Sequence, residues 1–354
     1  MNKIKKISFV VDKPYYNDKI FDSEYLGSDF FELLKKNVNE KGIEIASNDL
    51  IKPEEADIIL YNDFRRKHIL NNKLHVLLAL ESIAVKPENF NIKKIKKFDT
   101  IYTWNSNIVD RKKIFKLNYS YDLRFEKFKT FNKKKFFLCN ISANKFSNHQ
   151  DELYSERIKA CEFFESKPIS FHLFGYDWDK SLKYPIIYNL FKSFNISKAT
   201  RILSKVFSYF IVHIGASNII YKKYNSYKGT IDNKLETLKE YKFSICYENV
   251  TNINGYITEK IFDCFKAGTV PIYLGANDIK DYIPEATFID KRNFSNYDEL
   301  YNYLTSINEY DFARYQTSIS NYLESIQAEI FDSKYNAKIL VDGIIRDYNN
   351  KFLL

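Results

Sequence analysis

Short apolar runs, separated by helical stretches and polar turns, organise the first part of the chain. Ile7–Val11 reads as a strand, and Asp29–Asn39 carries a helical pattern through Phe30, Phe31, Leu33 and Leu34. Ile43–Ala46, Ala56–Tyr61, His75–Leu80 and Asp99–Trp104 repeat the strand signal, and His75–Leu80 ends directly at Glu81. Short apolar strands alternating with helices predict a parallel sheet covered by helices on both faces.

The basic stretch Arg124–Lys135 breaks this rhythm and reads as a linker, after which the alternation resumes. Phe136–Ile141, Ser170–Phe174, Phe243–Tyr247 and Val270–Leu274 are strands; Asp151–Phe164 and Thr258–Lys266 are helices. A chain of 354 residues exceeds what one core usually supports. The expectation is α/β, with two Rossmann-like domains facing across a cleft: residues 1–128, and residues 129–354 with an aromatic-rich insertion at about 184–224. In open α/β sheets, ligands bind beyond the carboxyl ends of the strands, so the chemistry belongs in the loops that follow strands. Within the insertion, Val206–Tyr221 has no formally charged residue, yet Ser, His213, Gly215 and Asn218 interrupt it. It is too short and polar to span a bilayer. It reads either as a helical excursion packed on its own domain or, flanked by Lys198, Arg201, Lys205, Lys222 and Lys223, as an interfacial helix touching anionic lipid.

Composition narrows the partners without choosing among them. A hydrophobic share of 45% and a charged share of 28% describe a folded soluble chain. The net charge of +9 favours anionic partners: nucleotide phosphates, nucleic acid or an acidic membrane surface. The lysine runs at MNKIKK and Lys133–Lys135 read as solvated surface. Cys139, Cys161, Cys246 and Cys264 form no CxxC pair and sit in apolar segments, which indicates neither a disulfide framework nor a zinc site. The ISFVV run is too short for a signal-peptide core or anchor, so the expectation is a cytoplasmic protein. No GxGxxG follows the first strand, where Lys13-Pro14-Tyr15-Tyr16 stands instead, and that disfavours a dinucleotide oxidoreductase. Interleaved lysines and aromatics could stack bases, but no nucleic-acid-binding module is recognisable.

The segment Tyr241–Ala276, YKFSICYENVTNINGYITEKIFDCFKAGTVPIYLGA, is the most informative. It reads as strand, polar loop, helix, glycine turn and strand. Glu248 and Asn249 fall at the carboxyl edge of the first strand, and Gly268 closes the helix. Lys260 in the first turn opposes the helix dipole, a penalty that an adjacent diphosphate would reverse. Glu259 could accept from a sugar or ribose hydroxyl. The alternative is an ordinary capping pair with a solvated Lys260.

This segment resembles the donor-site signature of family 10 glycosyltransferases, the α-1,3/4-fucosyltransferases. Their pattern runs Tyr-Lys-Phe, a strand ending Phe-Glu-Asn, a short loop, Tyr-Val-Thr-Glu-Lys, then Val-Pro and Gly. Here Tyr247 and Ile257 replace Phe and Val, and Val250 stands where Ser is common. The resemblance is strong from about Lys234 to Ile289 and weaker elsewhere. It implies a GT-B-type fold and an inverting transfer of L-fucose from GDP-fucose to a hydroxyl of a GlcNAc/Gal-containing glycan. Lys260 would then bind the donor diphosphate and Glu259 the donor hydroxyls, with Asn249 and Tyr256 lining the pocket. Arg157 matches an arginine that pairs with phosphate in the family; its alternative is a surface pair with Glu156 or Asp151. LLALESIAVKP resembles the segment that carries a general base, which makes Glu81 the candidate; its alternative is a residue at a helix start, and Glu88 is weaker. No cofactor is required on this reading, and a divalent metal is not expected, although Asp177-Trp178-Asp179 is a literal Asp-x-Asp. Expected partners are the nucleotide-sugar, a glycan acceptor (lipid-linked or soluble) and, at its periphery, an anionic membrane, but not nucleic acid. Another GDP-deoxysugar or aminosugar, or a sugar-binding protein without activity, are the alternatives.

Overall fold

The computed structural model describes residues 4–179 and 224–352, except positions 27, 67, 69, 146 and 148. The expected insertion at 184–224 therefore lies almost wholly outside the described residues. In the first unit, β1 (Lys6–Val10), β2 (Glu44–Ser47), β3 (Ile58–Asn62), β4 (Leu74–Ala79), β5 (Thr100–Thr103) and β6 (Ile114–Lys116) form a six-stranded sheet in the order β2-β1-β3-β4-β5-β6. All its pairings are parallel. Every residue of β4 is buried, as expected of a central strand with both faces covered.

The second unit repeats the plan. β7 (Phe136–Ile141), β8 (Phe171–Phe174), β9 (Tyr241–Tyr247), β10 (Val270–Leu274) and β11 (Ile289–Asp290) run parallel in the order β11-β10-β9-β7-β8. In each sheet the second strand lies on one side of the first and the third on the other. The direction of winding thus reverses between β1 and β3 and between β7 and β9, the places where open α/β sheets form crevices.

Two helices define how the cores close. Helix Phe30–Glu40 buries Phe30, Leu34 and Val38, one stripe at helical spacing, against the first sheet. The C-terminal helix Ser333–Phe352 packs Ala337, Leu340, Val341, Ile344 and Tyr348 into that same core. Tyr102 donates to Asp347 (3.0 Å) across this contact. A single packed unit running from 129 to 354 is therefore corrected: its last helix returns to the first sheet. The chain crosses between the units twice, side by side, with Tyr121 N donating to Phe331 O (2.8 Å) and Ser333 N to Tyr121 O (3.0 Å).

The units also meet along an aromatic seam. Trp104 lies 4.6 Å from Tyr256, centroid to centroid, and Val250 is fully buried beside them. The valine that replaces a common serine is thus part of the packing between the units. Gly255, at φ +81°, brings its backbone against the Trp104 carbonyl, and an added Cβ would come within 2.5 Å of Lys116 Nζ. Only glycine suits that approach.

Candidate active site

Glu248 follows β9 at the reversal point of the second sheet. Its N–H continues the ladder to Leu274 O (2.8 Å), and the residue has no exposed surface. One carboxylate oxygen accepts from Thr258 N (2.8 Å). The other accepts from Thr258 Oγ1 (2.7 Å) and Lys260 Nζ (3.0 Å). Glu248 thereby caps helix Glu259–Lys266, whose Thr258 forms no side-chain cap of its own. Gly275 makes room for this arrangement, since a Cβ there would lie 2.6 Å from Glu248 Cγ.

This changes the argument from the helix dipole. The cation at the helix start is answered by Glu248 before any phosphate arrives. Burial works against a charged Lys260, but Glu248 and Glu259 outweigh it and hold the ammonium above the ordinary lysine range. Burial also works to raise the Glu259 carboxyl, yet Lys260 and Lys234 bring it down to about 2. Both side chains keep their charges at neutral pH.

Arg157 sits on helix Tyr154–Glu165, whose start is tied to the loop after β9 by Leu153 N donating to Asn249 O (3.0 Å). The residue is buried, and Nη2 donates to Tyr247 O (2.6 Å), Glu248 O (2.7 Å) and Asn249 Oδ1 (3.1 Å). The surface-pair alternative does not hold: Glu156 takes Lys159 (2.9 Å) and the Tyr297 hydroxyl (2.8 Å) instead. Arg157, Lys234 and Lys260 line a small cleft, together with Asn140, Ser142 and Tyr247. Lys234 pairs there with Asp263, which also accepts from Tyr121. Among the described residues, the buried Ser142 hydroxyl has no hydrogen-bond partner.

Glu81 enters from the first unit, on the turn after β4 rather than in a helix. Its Oε1 accepts from Ser82 N (2.7 Å). Burial raises the Glu81 carboxyl above the ordinary range; Ser82 N–H opposes the rise, Asp63 adds to it, and Lys260 opposes it from the second unit. A carboxylate of one unit therefore faces the cations of the other. Of the expected residues, Arg157, Asn249, Glu259, Lys260 and Glu81 gather around this region. Arg157 and Lys260 line the cleft itself; Tyr256 is buried in the seam and, like Asn249, Glu259 and Glu81, is not part of the lining. In the Asp-x-Asp, Trp178 is buried and donates to Ser142 O (2.5 Å). Among the described residues no three His, Cys, Asp or Glu are grouped to hold a metal.

Four contributors were not singled out from the sequence. In the sequence Glu248 is a polar strand end, and nothing local marks it as the partner of Thr258, ten positions on. Lys234, Ser142 and Asp63 carry no local pattern that separates them from other polar residues.

Two doubly wound parallel sheets, facing one another across cations and carboxylates, define a GT-B-type glycosyltransferase fold. Solved structures agree on that fold. An α1,3-fucosyltransferase crystallised with GDP-fucose aligns over 98% of this chain and 90% of its own at 16% identity, with a TM-score of 0.52. HepE of Anabaena, in complex with UDP and glucose, aligns over 97% of this chain and 100% of its own at 11% identity, with a TM-score of 0.55. The model "Glycosyltransferase family 10 (fucosyltransferase) C-term" matches residues 200–329, less than half of the chain. The α-(1,3)-fucosyltransferase FucT of Helicobacter pylori is 34% identical over 102 residues, 28% of this chain and 21% of that protein. An α-(1,4)-fucosyltransferase of Arabidopsis thaliana is 36% identical over 72 residues, 20% of this chain and 18% of that protein. The chain thus spans about a fifth of the length of the curated relatives it matches.

Proposed function

We propose that this chain transfers L-fucose from GDP-fucose to a hydroxyl of a GlcNAc- or Gal-containing glycan, with inversion at the anomeric carbon. The observation that carries the reading is the cleft at the β7/β9 reversal, where Arg157 and Lys260 meet opposite Glu81. A departing GDP gains negative charge on its terminal phosphate as the glycosidic bond breaks, and fixed cations there lower the barrier. Glu81 takes the proton of the attacking hydroxyl as the new bond forms, so inversion needs no enzyme nucleophile. The planar guanidinium of Arg157 suits a phosphate, and Lys260 supplies a point charge beside it. Glu259, ionised at neutral pH, accepts from sugar hydroxyls on this reading. With the diphosphate met by these side chains, the reading assigns no step to a divalent ion.

The test is acceptor-dependent GDP release from GDP-fucose, with galactose- and N-acetylglucosamine-containing acceptors, with and without EDTA. Glu81→Gln lowers kcat by at least about 100-fold. Lys260→Ala and Arg157→Ala each lower it by about 100-fold or more and weaken GDP binding. Turnover with a different GDP-sugar but none with GDP-fucose would make the donor assignment wrong and leave the architecture standing. If no nucleotide-sugar binds, the reading of the cleft fails.

A further inference from the structure

We infer that Asp63 is a positioning residue for Glu81, fixing the turn after β4 so that the Glu81 carboxylate faces the second unit. The inference rests on the reading of Glu81 as the general base. Asp63 follows β3, and its N–H donates to Leu78 O (2.8 Å), continuing the ladder to β4. It then adopts φ +61°, a left-handed conformation that Asp and Asn tolerate better than most residues. That turn aims its side chain across to the end of the neighbouring strand. Oδ1 accepts from Leu80 N (2.9 Å), Glu81 N (2.8 Å) and Asn89 Nδ2 (2.8 Å). Asn89, which is buried, completes the clamp: its amide donates to Glu81 O (3.1 Å) and its Oδ1 accepts from Phe64 N (2.7 Å).

The consecutive Leu80 and Glu81 N–H groups, and the Glu81 carbonyl, are therefore tied to one pair of side chains. A base must be held to within a fraction of an ångström of its working position, because small displacements are costly to rate. Asp63 also brings a negative charge. The groups that face Glu81 are Ser82 on its own turn, Asp63, Tyr119, Tyr154, Tyr256 and Lys260. Of these, Asp63 disfavours the ionised Glu81 and Lys260 favours it. A neutral residue at 63 should consequently make Glu81 a weaker base, one that ionises at lower pH.

Two substitutions separate the effects. Asp63→Asn keeps a side-chain acceptor and tolerates φ +61° but removes the charge; Asp63→Gly tolerates the same φ and removes the acceptor as well. The measurements are kcat against pH with the acceptors above, GDP affinity by calorimetry, and thermal melting of the full chain. Expected for Asp63→Asn is a folded protein with unchanged GDP affinity and an acid limb of kcat displaced to lower pH. Asp63→Gly loses about tenfold or more in kcat with GDP affinity retained, and adds no further loss in a Glu81→Gln background. An acid limb that stays in place in a folded Asp63→Asn, or an Asp63→Gly loss that is undiminished in the Glu81→Gln background, overturns the inference. Wild-type kcat in Asp63→Gly beside an inactive Glu81→Gln overturns Asp63 alone. A fully active Glu81→Gln overturns the base reading, and the inference falls with it.

Discussion

A carboxylate with no exposed surface is tolerable only while its partners hold, and Glu248 has Thr258 N–H, the Thr258 hydroxyl and Lys260. Glu248→Gln keeps the volume but removes the charge and leaves Lys260 without its main counter-ion. The expected cost is on the order of 3 kcal/mol in urea unfolding, with an unchanged m-value. A loss below about 0.5 kcal/mol would mean that Lys260 finds its compensation in Glu259 or solvent. Glu81 makes a prediction of opposite character. Its carboxyl is raised by burial, so the ionised form disfavours the fold and is nonetheless the form a base requires. Proposed activity is therefore lost as pH falls through a value above the ordinary glutamate range. Over that interval Glu81 alone makes the fold more stable, because protonation relieves the buried charge. A pH profile with its acid limb at or below that of free glutamate removes Glu81 as the base. Much of the candidate site was legible at single residues. Lys260, Arg157 and Glu81 stand at strand or helix ends, where polar groups are noticed. Glu248 and Asp63 escaped because their work is to hold other groups, and a holding role depends on contacts across the fold.

At the scale of elements, helix Glu259–Lys266 is secured at both ends. Glu248 caps the start, and Lys134 donates to Ala267 O (2.9 Å) and Thr269 Oγ1 (3.1 Å) just past its close. Lys134 is 5% exposed, so the solvated-surface reading of Lys133–Lys135 is corrected at its middle member. Composition could not reveal this: three adjacent lysines look alike until the register of the turn before β7 sends one of them inward. Lys134→Ala strands two acceptors in the interior and should cost about 1–3 kcal/mol in chemical denaturation. GDP affinity should stay within about twofold, since the cleft is lined by the other end of the helix. A variant as stable as the parent would show that water replaces the ammonium. The strands themselves were readable because buried parallel strands are short apolar runs with polar ends. β6 and β11, at three and two residues, are too short to rise above the background. The C-terminal helix was missed as a partner of the first sheet for a different reason. Its apolar stripe specifies that something is covered, whereas the identity of the covering surface is fixed by a contact such as Tyr102 with Asp347, 245 residues apart.

The whole molecule divides the proposed labour between units, and this division can be tested without touching a charged residue. The cations of the cleft belong to the second unit, and Glu81 to the first. Their relation is maintained by the paired crossings at Tyr121 and Ser333 and by the seam of Trp104, Val250 and Tyr256. At Gly255 the backbone lies close against the first unit, with φ +81° and no room for a Cβ against Trp104 and Lys116. Lys116 is itself committed to the seam, donating to Trp104 O (2.6 Å), Ser106 Oγ (2.7 Å) and the Tyr282 hydroxyl (3.3 Å), and burial lowers it to about 8. Gly255→Ala combines a disfavoured backbone conformation with a steric wedge between the units. Arg157, Lys234 and Lys260 lie on elements that the wedge does not enter, so GDP affinity should remain within about threefold. On the proposed reading turnover depends on Glu81 reaching across the seam, and kcat should fall by about tenfold or more. Calorimetry with GDP and acceptor-dependent turnover, measured on the same preparation, separate the two outcomes. Equal losses in both would locate part of the nucleotide site in the seam, most directly at the neighbouring Tyr256. An unchanged kcat would mean that the closed seam is not the catalytic arrangement and that the units approach each other differently when substrates are bound.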